Sequence, residues 1–94
     1  MKSIFEVTLN GRGLWISVDS EIQRVAFRVA RVVEADDATA AADRALELVA
    51  KDPKARTLQG KPAPDIVVEK VVPVRSMPAV QPGFRFSADP PFTA

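Results

Sequence analysis

Around Asp36 the apolar period of this chain changes from two residues to about 3.6, and that switch most restricts the folds open to it. Upstream, Ile22 to Glu34 alternates. Val25, Phe27, Val29 and Val33 fall on one side, interrupted by Arg31, while Arg24, Ala26, Arg28, Ala30, Val32 and Glu34 fall on the other. A run of this length, rich in β-branched residues, favours a strand and is long enough to need a bulge or bend. Downstream, Ala38, Ala41, Ala42, Ala45, Leu48 and Val49 share one helical side with Leu46 beside them, which predicts a helix over 38–51. Asp36 or Asp37 supplies its N-cap, accepting hydrogen bonds from the first free N–H groups and offsetting the positive end of the dipole. Pro53 stops the helix and pushes Asp52 out of the helical region. The small alanines let the helix approach the sheet closely, leaving Phe27 and Val29 to fill the opposing space.

Other segments read as strands. Phe5, Val7 and Leu9 point one way and Glu6 and Thr8 the other; Leu14, Ile16 and Val18 alternate with Trp15 and Ser17. Between them lies Asn10-Gly11-Arg12-Gly13, and asparagine–glycine tolerates the positive φ of a tight turn, so residues 4–18 are expected to form a β-hairpin. Asp19-Ser20-Glu21 breaks the pattern, and Lys54 to Asp65, with Gly60, Pro62 and Pro64, reads as an exposed loop. Ile66 to Val72 is a further strand, and Pro73 places its end at a sheet edge or exit because proline cannot donate to a ladder. Phe84-Arg85-Phe86 fits a short last strand or a hydrophobic clasp.

The expected fold class is α+β: a two-layer sandwich in β-β-β-α-β order, with a short final strand possible and one helix packed on a mainly antiparallel sheet. A unit over 22–72 would make a right-handed crossover if its two strands lie parallel in one sheet. A single α+β domain is expected over 1–76, followed by a proline-rich tail over 77–94 that packs on it or extends it.

Composition excludes more than it suggests. The 94 residues contain no cysteine, histidine or tyrosine. Disulfides, thiolate nucleophiles and cysteine metal sites are therefore absent, as is the side chain best suited to proton transfer near neutrality. No metal site or cofactor is expected, and no catalytic motif points to an enzyme. A net charge of +1 excludes a strongly basic polyanion binder while allowing a local basic patch. With 47% hydrophobic and 27% charged residues, the chain is not expected to be globally disordered. Neither a signal-peptide core nor a stretch of about 20 apolar residues is present, so a soluble, cytoplasmic protein without membrane contact is expected.

The residues that could matter lie on surfaces. Gly11-Arg12-Gly13 sits between strands rather than before a helix, which makes it a turn and not a phosphate loop. Asp36 and Asp37, near Glu34, lack the spacing of a calcium loop and read as a cap. Arg24 and Arg28 share a strand face, while Arg31 falls on the buried side and is expected to pair with Glu34, Asp36 or Glu69 or to sit where the strand leaves the core. Trp15 faces away from Leu14 and Ile16, as an interface anchor or beneath a tail carrying Phe84, Phe86 and Phe92. The candidate interaction surface is thus Trp15, Arg24, Arg28, Arg31, Phe84, Arg85 and Phe86.

The stretch from Phe27 to Asp36, which hands a Val-Glu-Ala-Asp strand end directly to an alanine-rich helix, resembles a segment of small, uncharacterised bacterial proteins. Gly11-Arg12-Gly13-Leu14, a strand like Ile66 to Val72, and Pro82-Gly83-Phe84 extend that resemblance over most of the chain. The resemblance implies a bacterial α+β protein and no particular activity. The function expected from the sequence is protein–protein contact, as a homodimer or with a protein partner. The alternative is nucleic-acid binding through Arg24, Arg28 and Arg85 beside Phe84 and Phe86.

Overall fold

In a computed structural model, residues 2–88 are described. They form β1 (Ser3–Val18), β2 (Glu21–Ala35), α1 (Ala38–Ala50), a single 3-10 turn (Pro53–Ala55), β3 (Asp65–Val74) and β4 (Arg85–Ala88). Phe92 and the prolines at 90 and 91 lie outside the described residues. The strands make a four-stranded sheet in the order β3-β1-β2-β4, antiparallel at every pairing. With α1 on one side, this is the two-layer α+β arrangement that the change of period predicts. β2 and β3 both oppose β1, so they run parallel with β1 between them, and α1 connects the two.

The first segment departs from expectation. Residues 4–18 are one long strand rather than a hairpin, and the element order is β-β-α-β-β. Asn10-Gly11-Arg12-Gly13 forms a β-bulge: Gly11 pairs with Phe27 and Leu14 with Val25, so β1 carries one extra residue there, and Gly13 takes φ +75. The chain reverses at Asp19 and Ser20, with φ 50 and 69, the left-handed pair of a two-residue hairpin loop. The physical reason lies in packing. A Cβ at residue 11 would overlap the Phe27 ring, so glycine is needed there for the ring to lie across β1. The bulge also keeps Leu9 and Leu14 on the same side, both fully buried.

That side holds the core. Val7, Leu9, Leu14, Val25, Phe27, Val29 and Val33 meet Ala41, Ala45 and Val49 of α1, with Ala55 from the 3-10 turn. The two alanines have no exposed surface, as close approach of the helix requires. α1 is rotated toward Ala42 and Leu46, leaving Leu48 46% exposed although the periodicity puts it on the apolar side. Asp37 caps α1 through Oδ1, which accepts from Ala40 N–H at 2.8 Å, an interaction worth about 1 kcal/mol. At the other end Lys51 donates to Glu47 at 2.7 Å, and this bond and its charge hold the Glu47 carboxyl below its ordinary value. Asp52 is extended, as a residue before proline should be, and accepts from Lys54 N–H.

Candidate functional site

Alternation along β2 leaves one sheet face to the helix and turns the other outward. Because Leu14 and Val25 are paired and buried, the next pair, Trp15 and Arg24, points to the outer face. Arg28 follows on that face opposite Asn10, and Arg85 of β4 stands directly opposite Arg28. The structure therefore brings Trp15, Arg24, Arg28 and Arg85 together on one surface. Arg31, Phe84 and Phe86 belong to the other side.

Trp15 is half-buried, but not beneath Phe84 or Phe86. The loop after α1 covers it instead. Lys61 places its ammonium 4.6 Å from the ring centroid, a cation–π contact. Leu58 N–H donates to Trp15 O at 2.9 Å and Trp15 N–H donates to Thr57 Oγ1 at 3.2 Å. This loop satisfies the β1 backbone where β3, which begins opposite Arg12, no longer reaches.

Arg28 spans β1 to reach Glu69 of β3, with Nη2 and Oε2 2.7 Å apart. A second irregularity makes this possible. Thr8 pairs with Lys70 and Leu9 with Val68, so Glu69 is the unpaired residue of a bulge and is re-aimed toward the outer face. Toward the Ala30 end of β2, Glu6, Thr8, Arg28, Lys70, Pro82 and Arg85 border a shallow concavity of about 340 Å³. Thr8 is the one buried polar or charged residue among the described residues, so no buried carboxylate is found there.

Arg31 serves the tail. Its Nη1 donates to Pro82 O at 2.7 Å and to Ala30 O at 2.8 Å, its Nη2 lies 3.2 Å from Asp52 Oδ2, and its guanidinium sits 5.3 Å from the Phe84 centroid. The expected partners Glu34, Asp36 and Glu69 are replaced by Asp52, because the turn after α1 returns beside β2. Phe84 packs on Phe27 at 5.2 Å and stacks on Phe86 at 5.7 Å. Phe84 and Phe86 thus lie on the helix side of the sheet with Arg31, Phe86 remaining 46% exposed, while Arg24, Arg28 and Arg85 stay on the outer side.

The sheet edges are blunted. β3 carries the Glu69 bulge, Lys70 and Pro73, and β4 is short. Beyond β4, the open edge of β2 is occupied at Val32 by Gln81, whose Oε1 accepts from Val32 N–H at 3.0 Å and whose Nε2 donates to Val32 O at 2.9 Å. Lys70, Lys61 and Gln81 had no signal in the sequence beyond strand parity for the first. The other two depend on where connecting segments run.

Among the described residues, no group of three or more metal-ligating side chains is present, and no helix is long and apolar enough to cross a membrane. Comparison with protein-family models, curated proteins and solved structures returns no significant match.

Proposed function

We propose that this chain is a non-enzymatic binding domain working through the outer face of its sheet, and that the partner is a second copy of itself. The observation that carries this reading is exposure of two β-branched side chains on that face: Val67 is 60% and Ile22 59% exposed. On the opposite face the helix covers β1, β2 and β3 and leaves Phe86 of β4 46% exposed, and the blunted edges disfavour growth of the sheet by strand addition. Face-to-face contact through the outer face is the arrangement these features favour. The charge layout supports self-association. On β3 the acidic Asp65 and Glu69 outnumber Lys70, whereas Arg24, Arg28 and Arg85 lie on β2 and β4. A two-fold axis parallel to the strands sets β3 of one copy over β2 and β4 of the other, so each acidic edge meets a basic half.

Nucleic acid is the weaker reading, because Phe84 and Phe86 pack with Phe27 on the helix side rather than standing beside Arg24, Arg28 and Arg85 as a stacking platform. Light scattering and sedimentation over a range of protein concentrations test the proposal. The expected result is twice the chain mass, reverting to the chain mass in an Ile22→Lys, Val67→Lys variant with an unchanged circular dichroism spectrum. A monomer at every concentration would sink it.

A further inference from the structure

We infer that the concavity on the outer face between β1, β2 and the segment entering β4 binds a small oxyanion, the chemistry shared by a phosphate group and a carboxylate. The inference stands on the opposition of two arginines and does not rest on self-association. Arg28 and Arg85 are direct cross-strand partners, so their side chains leave the sheet on the same face, side by side. Like charges in that position oppose each other unless something negative lies between them.

The chain supplies little that is negative. Glu69 pairs with Arg28 through a single nitrogen, Nη2, in an exposed contact. Arg85 and Lys70, which border the same concavity, form no ion pair among the described residues. Three cations therefore line the concavity, Arg28, Lys70 and Arg85, against two carboxylates, Glu6 on its wall and Glu69 beside Arg28, which leaves positive charge in excess. Thr8, buried between Lys70 and Ala30 in the pairing, adds a hydroxyl to the wall.

The arrangement suits an oxyanion for stated reasons. Guanidinium groups present planar donor pairs that match the oxygens of phosphate or carboxylate, and a lysine adds a mobile point charge. A hydroxyl can donate to a third oxygen. Glu6 opposes a bare anion, so it limits affinity for an inorganic ion and favours a ligand with a donor group beside its anionic one. An anion seated between Arg28 and Arg85 removes the cross-strand repulsion. Occupancy should therefore also tighten the junction of β2 and β4.

Calorimetric titration of the full chain with inorganic phosphate, and separately with acetate, tests this at matched ionic strength set with sodium chloride. Saturable one-site binding in at least one arm is expected, with the arm that binds identifying the source chemistry. Arg85→Gln and Lys70→Gln, both exposed positions, should each weaken binding by roughly tenfold. Glu6→Gln should strengthen it, and Arg44→Gln on the helix should leave it unchanged. Binding that appears in neither arm overturns the inference. So does binding that survives the Arg85→Gln, Lys70→Gln double variant, or that Arg44→Gln weakens equally. Running the titration at two protein concentrations that bracket any association separates the outcome from that of the dimer proposal.

Discussion

The side chain of Gln81 pairs with the backbone of Val32 as a neighbouring strand would, accepting from its N–H at 3.0 Å and donating to its carbonyl at 2.9 Å. One amide thereby stands in for a ladder residue at the place where β4 has not yet begun. Replacing Gln81 with alanine removes both bonds from a water-accessible edge, at a cost of about 1 kcal/mol. Hydrogen exchange should show faster exchange of the Val32 amide, with little change in the β1–β3 ladder. Unchanged protection at Val32 would show that the amide contributes nothing in solution.

Arg31 joins three parts of the chain: Asp52 after the helix, Pro82 in the tail, and the Phe84 ring. Its side chain is 11% exposed and that of Asp52 25%, so the pair is partly withdrawn from water. Arg31→Ala should destabilise the fold by about 2 kcal/mol, since Asp52 and the Pro82 carbonyl lose their donor together. Limited proteolysis should then cut within 75–84 faster than in the parent chain. A double-mutant cycle with Phe84→Ala should give non-additive energies, because both residues hold the same segment.

Gly11 lies beneath the Phe27 ring with no room for a methyl group. Gly11→Ala should cost about 1–3 kcal/mol in urea unfolding as the ring is displaced. The Gly11→Ala, Phe27→Leu pair should cost less than the sum of its single changes. Simple additivity would mean that the penalty comes from the backbone and not from the ring.

Asp19 and Ser20 both adopt positive φ without being glycine. The left-handed conformation costs an L residue roughly 1–2 kcal/mol, less for aspartate than for serine. Replacing the pair with Asn-Gly should therefore stabilise the hairpin by about 1 kcal/mol and raise Tm by about 4–8 °C. A lower Tm would show that Ser20 makes a compensating interaction in the folded state.

These residues also show what can be read from a sequence like this one. The strand through Val25, Phe27, Val29 and Val33 and the helix through Ala41, Ala45 and Val49 are legible because each buries one side, and burial imposes the period. Parity likewise puts Trp15, Arg24 and Arg28 on one face. The hairpin misassignment has the opposite cause. Asn10-Gly11 carries a strong turn signal, yet its glycine is needed under an aromatic ring 16 positions further on, a requirement that no local pattern expresses. The true turn lacks glycine altogether. The cover over Trp15, the Arg31–Asp52 pair and the Gln81 plug were not legible, because they depend on how the turn after α1 and segments 56–64 and 75–84 cross the domain, and such connections have no periodicity.

The position of β4 at one edge of the sheet has a consequence for biosynthesis. Chain order makes it the last described strand to be translated, although it docks against β2, which is made early. A nascent chain that has emerged as far as Val74 already holds β1, β2, β3 and α1. Its Phe27 ring still lacks Phe84 and Phe86, and the β2 backbone still lacks both β4 and Gln81. For that interval the growing polypeptide carries an open strand edge with an aromatic notch, and both close only when the tail arrives.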